Sequence, residues 1–136
     1  GAYIIENSDL PGFSRREQEA VAALVRGHRR GIPENNFEHV SARDLESLRR
    51  TLALFRLAAV LHRTRAEEAL PALTLEAAGR ELRLSFPRGW LTLHPLTWAD
   101  LRQEKDFLEA IGIQLRLRVA RDPGNPIITE LLDRAL

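Results

Sequence analysis

Residues 7–30, NSDLPGFSRREQEAVAALVRGHRR, pass from a polar turn into a helix and then into a basic cluster, and they decide the fold of the first half of the chain. Short polar side chains followed by Pro11 and Gly12 favour a turn. The polar side chains form hydrogen bonds with the nearby backbone, proline fixes its own φ, and glycine can adopt a positive φ. Ser14 and Glu17 have the spacing of a capping box, which satisfies free backbone N–H groups at a helix start. A helix is therefore expected from about residue 15 to residue 30.

The predicted helix carries an apolar stripe that leads into a cluster of basic residues. Four positions at helical spacing share one face: Val21, Leu24, Val25 and His28. The candidate binding residues crowd the last turn: Arg26, His28, Arg29 and Arg30. Arginine grips phosphoryl oxygens through two parallel hydrogen bonds, and histidine adds a donor when protonated. Two interpretations stay open, since basic residues also complement a helix C-terminus and His28 can be a packed core residue.

A second helix is expected from Ser41, which is followed by Asp44 as a second capping pair, to about residue 66. Its packing seam is predicted at positions that alternate by three and four: Leu45, Leu48, Leu52, Phe55 and Ala59. Further apolar residues after Leu52 fill the other faces, which is typical of a helix buried on several sides. Its partners would be the second half of the chain, another chain, or helices of a longer protein.

The period of the apolar pattern changes from 3.6 to 2 after Leu70 and Pro71, so domains are predicted at residues 1–69 and 70–136. Strands are predicted at residues 73–76, 82–86, 90–93 and 115–119. A helix opened by Pro95 and Thr97, with Thr97 and Asp100 as a capping box, is expected before the last strand. Its buried stripe and glycine stop are Trp98, Leu101, Leu108, Ile111 and Gly112. The fold class is α+β, a helical segment followed by a small β-β-(β)-α-β module. A tail helix is predicted at residues 127–136.

Composition excludes several classes of protein. The 136 residues are 44% hydrophobic and 29% charged, as in a globular domain. No cysteine is present, so disulfides and thiolate metal sites are excluded. A net charge of +1 does not indicate a nucleic-acid binder, and no apolar run has the length of a membrane span. We expect a cytoplasmic protein.

The sequence offers no catalytic constellation. Its histidines are scattered along the chain: His28, His39, His62 and His94. Its serines lack a nucleophile motif: Ser8, Ser14, Ser41, Ser47 and Ser85. Glycine-rich phosphate loops are also missing, so neither a metal site nor a nucleophile is predicted. A second basic patch at Arg83, Arg116 and Arg118 would contact RNA or polyphosphate, or form a solvated sheet face. Trp90 and Trp98 are expected in the core.

Four segments resemble the C-terminal half of the exopolyphosphatase/guanosine pentaphosphate phosphatase family, and the exopolyphosphatase branch in particular. They are AYII at residues 2–5, NSDLPGF at 7–13, VRGHRR at 25–30 and WLTLHPLT at 90–97. The resemblance extends to about residue 119. It implies an HD-like helical domain followed by a small final domain. HD-type relatives carry a metal-binding Asp in a Leu-Ala-Asp pattern, where this chain has Ala59 after Leu57 and Ala58.

The resemblance also implies a function. A longer protein would hydrolyse terminal phosphate from inorganic polyphosphate by water attack, in an N-terminal half that these residues do not include and with Mg²⁺ as its cofactor. This piece would hold the polymer through Arg26, His28, Arg29 and Arg30, contact the catalytic domains and help to form a homodimer. A cofactor is not expected in the piece itself, and neither a membrane nor nucleic acid is an expected partner. The alternatives are a non-catalytic polyanion or RNA-binding module and a dimerisation module.

The isolated 136-residue chain is expected to release no phosphate from polyphosphate. The phosphate loops and the carboxylate that would stabilise the transferring group belong, by the resemblance, to the other half of the longer protein. A phosphate-release assay on the purified chain checks this expectation. Release above that of a boiled sample would contradict it.

Overall fold

A computed structural model of the chain describes residues 1–64, 70–120, 134 and 136. Its helices are α1 (Ala2–Asn7), α2 (Arg15–Gly27), α3 (Ala42–Thr64), α4 (Trp90–Leu93) and α5 (Pro95–Glu109). Its strands are β1 (Thr74–Ala78), β2 (Glu81–Phe86) and β3 (Gln114–Val119). The predicted α+β class is confirmed.

Contacts group the chain into two units, Gly1–Leu57 and Ala58–Leu136. The first unit holds α1, α2 and most of α3. The second holds the end of α3, the sheet, α4 and α5. The predicted domain division at residues 69 and 70 stays a prediction, since grouping by contacts does not define a domain boundary.

The start of α2 follows the predicted capping box. The backbone N–H of Glu17 donates to Ser14 Oγ over 3.1 Å, and the Ser14 hydroxyl donates to Glu17 Oε1 over 3.0 Å. The predicted end at residue 30 is wrong, because α2 ends at Gly27. Arg30 has a φ of +57°, a left-handed conformation that does not continue an α-helix.

The buried face of α2 is also not the predicted one. Its buried residues are Gln18, Ala22, Ala23 and Gly27, while Val21 is 38% exposed. The reason is a close approach to α3, where a Cβ on Gly27 would lie 2.7 Å from Leu52 Cδ2. Small side chains permit this approach, so they occupy the interface in place of larger apolar ones.

The buried face of α3 includes Leu48 and Leu52 as predicted, but beyond them it is shifted by one residue, because Arg56 is buried in place of Phe55. Its buried residues are Leu48, Leu52, Ala53, Arg56, Leu57, Val60 and Leu61. Phe55, predicted in the seam, is 56% exposed, and Leu54 beside it is 45% exposed. One face of α3 therefore remains apolar and open. The expected end near residue 66 lies outside the described residues.

The sheet has the order β1-β2-β3. Strands β1 and β2 form an antiparallel hairpin around Gly79, whose φ is +59°, and β3 runs parallel to β2. Leucines of both strands pair in register and are buried: Leu82 with Leu115, and Leu84 with Leu117. The predicted alternation of residues 82–86 and 115–119 is confirmed.

The predicted strand at residues 90–93 is wrong, because these residues form α4. The rings of Phe86, Trp90 and His94 stack in sequence, with centroids 5.2 Å and then 4.0 Å apart. The last two rings are four residues apart, which is the spacing of helical neighbours, and apolar residues within a four-residue helix can also look alternating.

The bounds of α5 follow the prediction, whereas its cap does not. The helix begins at Pro95 as predicted, but the capping box of Thr97 and Asp100 is wrong, because the N-cap is His94 and Thr97 is buried within the helix. The glycine stop is confirmed, because Gly112 has a φ of +80°. Its N–H donates to the Glu109 carbonyl, and the next N–H donates to that of Leu108, which is the Schellman pattern. The predicted stripe is buried at Leu101, Leu108 and Ile111, with Trp98 half-buried. The predicted tail helix falls outside the described residues except for residues 134 and 136.

The beginnings of α2 and α3 are joined by an ion pair. Arg16 Nε lies 2.5 Å from Asp44 Oδ2, and Nη2 lies 2.6 Å from Oδ1, a bidentate contact. The contacts of Ser41 and Asp44 therefore differ from a capping box. The Asp44 carboxylate accepts from Arg16, and the Asp44 backbone N–H donates to the Ser41 carbonyl. The hydrogen bond from Arg16 lowers the pKa of Asp44 below its ordinary 3.8.

The stabilisation from this pair is expected to depend on pH. Because the pKa of Asp44 is lower in the folded chain, the stabilisation is complete above about pH 3.8 and is lost as the pH falls through the folded value. The variant D44N should therefore have a lower midpoint of thermal unfolding at neutral pH, with the difference shrinking as the solution is acidified below the ordinary pKa of the carboxyl. Thermal unfolding followed by circular dichroism across this range measures it.

The control is D106N, which makes the same chemical change at an exposed carboxylate with no ion pair among the described residues. It should keep the wild-type pH profile. A D44N profile that is parallel to the wild type at every pH would contradict the assigned role.

Candidate anion-binding turn

Arg26 is engaged inside the first unit. Its Nη1 forms an ion pair with Glu6 Oε1. Its Nε donates to Asn36 Oδ1 over 3.3 Å, and its Nη2 donates to the Asn36 carbonyl over 3.2 Å. The guanidinium thus ties α1 and the loop after α2 to the last turn of α2. Its predicted role in substrate binding stays a prediction, and the structure gives it this internal role in addition.

Asn36 completes this connection and was not found by sequence reasoning. It is 1% exposed, and its Nδ2 donates to the Ala23 carbonyl over 3.1 Å. It lies in a stretch of turns that the sequence predicts only as a loop. A polar residue in a loop gives no sign of burial in the sequence, so no local pattern would have identified it.

Arg56 of α3 also holds the end of α2. The residue is 2% exposed. Its Nη1 donates to the Gly27 carbonyl over 2.6 Å, and its Nη2 donates to the Arg30 carbonyl. The last carbonyls of a helix have no partners within the helix, and here a buried guanidinium donates to one of them, the Gly27 carbonyl. The burial of Arg56 could have been predicted from its spacing. It lies four residues after Leu52 and four before Val60, so all three share one face of the helix, and Leu52 and Val60 are both buried.

His28 has a local role at the end of α2. It is the C-cap residue and it is exposed, so the prediction that it packs in the core is wrong. Its Nδ1 lies at hydrogen-bond distance from the Val25 carbonyl oxygen. Because a carbonyl only accepts, Nδ1 carries the hydrogen, and Nε2 is the ring nitrogen left for a ligand.

Arg29 and Arg30 form the exposed part of the cluster. Both side chains are exposed, and neither makes an ion pair or side-chain hydrogen bond with the part of the chain that the structure describes. Arg56 donates to the Gly27 carbonyl at the end of α2, so this carbonyl does not depend on Arg29 or Arg30, and the interpretation that their charges complement the helix C-terminus stays open. They lie next to each other on the turn after the helix, and the Arg30 carbonyl of this turn accepts a hydrogen bond from Arg56.

The turn presents hydrogen-bond donors of the type that bind phosphoryl oxygens. Two adjacent guanidinium groups can each offer paired N–H donors to phosphoryl oxygens. Among the described residues, no group of three or more His, Asp or Glu side chains converges as a metal site requires. His39 instead pairs with its neighbour Glu38 over 2.9 Å. Mg²⁺ as the cofactor of the longer protein stays a prediction.

The second basic patch, on the sheet, is partly neutralised by a shared carboxylate. Glu81 Oε1 accepts from Arg83 Nε over 3.1 Å and lies 2.9 Å from Arg116 Nε. The hydrogen bond from Arg83 lowers the pKa of Glu81, and the charges of Arg116 and Arg118 add to this effect. Glu76 faces Arg83 across the hairpin. These ion pairs favour the solvated-face interpretation over a binding surface.

Comparison with known proteins now places the chain in a family. The model of the family described as "Ppx/GppA phosphatase, domain III" matches residues 1–105. The chain therefore belongs to the Ppx/GppA phosphatase family, and most of it corresponds to domain III of these proteins. The family resemblance predicted from the sequence is confirmed.

Three curated relatives are named guanosine-5'-triphosphate,3'-diphosphate pyrophosphatase. The chain is 31% identical over 114 residues to that of Pseudoalteromonas translucida, covering 84% of this chain and 23% of the relative. It is 35% identical over 103 residues to that of Photobacterium profundum, covering 76% and 20%. It is 34% identical over 111 residues to that of Vibrio vulnificus, covering 82% and 22%. The chain thus spans about a fifth of the length of these relatives.

Across the described residues, none of the helices has the length and apolar character needed to cross a bilayer.

Proposed function

We propose that this chain is the C-terminal region of an exopolyphosphatase, and that its α2 turn holds the polyphosphate chain. The observation that carries the proposal is the pair of exposed guanidinium groups of Arg29 and Arg30, which have no partner among the described residues. Membership of the phosphatase family supports a phosphate-rich ligand. A polymer with one negative charge on each phosphate offers repeated oxygens to such a pair.

The chemistry of the proposed reaction belongs to the rest of the longer protein. Attack of water on the terminal phosphate needs groups that stabilise the developing charge, which are expected in the N-terminal domains together with Mg²⁺. The turn would contribute binding energy remote from the reacting phosphate. A homodimer is part of the same proposal, and the exposed Leu54 and Phe55 on α3 support an apolar contact of this kind.

A second candidate ligand is guanosine-5'-triphosphate,3'-diphosphate. The names of the relatives favour it, because all three refer to this nucleotide. Its phosphate groups would engage the same turn, and the two candidates differ in chain length and in the guanosine. A non-catalytic polyanion or RNA-binding module remains the alternative from another class.

The double change R29A/R30A is expected to weaken binding of long-chain polyphosphate. Each guanidinium removed also removes released counterions, so the slope of log affinity against log salt should become shallower by roughly one unit or less per arginine. Titration of a fluorescently labelled polyphosphate at several salt concentrations measures the affinity and the slope together.

The matched control is R50A/R88A, which removes two exposed arginines that also lack a partner among the described residues. It lowers the net charge by the same amount and should leave the affinity close to that of the wild type. Equal losses in both double variants would mean that only total charge matters and would overturn the assignment of the turn.

Competition at equal phosphate concentration separates the candidate ligands. An exopolyphosphatase surface should retain labelled polyphosphate against tRNA and against guanosine-5'-triphosphate,3'-diphosphate. Strong displacement by the nucleotide would favour the second candidate, and strong displacement by tRNA would favour the RNA-binding module.

A further inference from the structure

The backbone that carries Arg29 and Arg30 lies in a conformation that needs support. Arg30 has a φ of +57°, in the left-handed region where a side chain with a Cβ is strained. Such a conformation persists only when the surrounding structure holds it, and it occurs often at ligand-binding sites. The Arg30 carbonyl accepts a hydrogen bond from Arg56 Nη2. The strained residue and the exposed charge therefore share one support.

Arg56 can provide that support only because α2 and α3 lie very close together. A Cβ on Gly27 would lie 2.7 Å from Leu52 Cδ2 and 3.0 Å from Asn36 Nδ2. Leu52 is one helical turn before Arg56 on α3. The glycine thus allows the approach that brings the Gly27 carbonyl to 2.6 Å from Arg56 Nη1.

A buried guanidinium is expensive unless its donors are used. Arg56 is 2% exposed, and its two terminal nitrogens both point to backbone carbonyls of the same turn. A lysine would carry the same charge, but its single ammonium lacks the planar fork that reaches two fixed acceptors. The structure thus uses a property of arginine other than its charge.

We propose that Arg56 is a positioning residue of the anion-binding turn. It fixes the backbone from Gly27 to Arg30, so that Arg29 and Arg30 are already ordered when a polyphosphate chain binds. This proposal rests on the proposed function of the turn. Preorganisation lowers the entropy lost on binding and so raises affinity without adding a contact. Arg56 itself touches no ligand.

The test is the variant R56K, measured with long-chain polyphosphate well below the midpoint of its thermal unfolding. Loss of the fixed turn should weaken the affinity about fivefold or more through preorganisation. The salt slope should stay at the wild-type value, because Arg29 and Arg30 are both still present. The control R50K makes the same change at an exposed position of α3 and should alter neither quantity.

A second variant keeps the test decisive if R56K does not fold. In G27A the added Cβ would lie 2.7 Å from Leu52 Cδ2 and 3.0 Å from Asn36 Nδ2, so the packing that places α3 and Arg56 against the end of α2 must adjust. It should show the same pattern, with weaker affinity and an unchanged slope. Wild-type affinity in either folded variant, together with a clear loss in R29A/R30A, would overturn the role of Arg56 and leave the proposed function standing. If R29A/R30A binds like the wild type, the proposed function itself fails.

Discussion

The last carbonyls of α2 need donors from outside the helix, and the buried guanidinium of Arg56 donates to that of Gly27 and also to the Arg30 carbonyl in the turn beyond it. Several features of the first unit depend on this interaction. Leu52 of α3 packs against Gly27, where a Cβ would lie 2.7 Å from Leu52 Cδ2. Asn36 secures the preceding turn of the same helix through the Ala23 carbonyl. Hydrogen bonds from Asn36 and Arg56 therefore fix the end of α2 and the turn that follows it without a ligand.

The arginines of the described residues divide into two groups by what they contact. Arg26 pairs with Glu6, and Arg16 pairs with Asp44, so both connect segments of the first unit. On the sheet, Glu81 is shared by Arg83 and Arg116. In contrast, two arginines on the turn after α2 have exposed charges without partners among these residues. A small net charge thus hides a local concentration of available donors, which is why global composition did not reveal it.

Local signals in the sequence predicted local structure well. The capping box of Ser14, the glycine stop at Gly112 and the alternation of the two central strands depend on a few neighbouring residues, and all three are confirmed. The errors arose where tertiary contacts decide. Close helix packing reversed the expected face of α2, and ring stacking along Phe86, Trp90 and His94 accompanies a helix where a strand was expected. The candidate cluster was found by its charge. Its division into internal and exposed members required the positions of Glu6, Asn36 and Arg56, which lie far apart in sequence.

The proposed site for a phosphate polymer is the supported turn after α2 and not the sheet. Nuclear magnetic resonance of the isotope-labelled chain, titrated with short-chain polyphosphate, distinguishes the two surfaces. We expect the largest shifts on the backbone amides of residues 27–31 and on the Arg29 and Arg30 side chains, with little change at residues 81–86 and 114–119. Shifts centred on the sheet, or no saturable shifts at all, would contradict it.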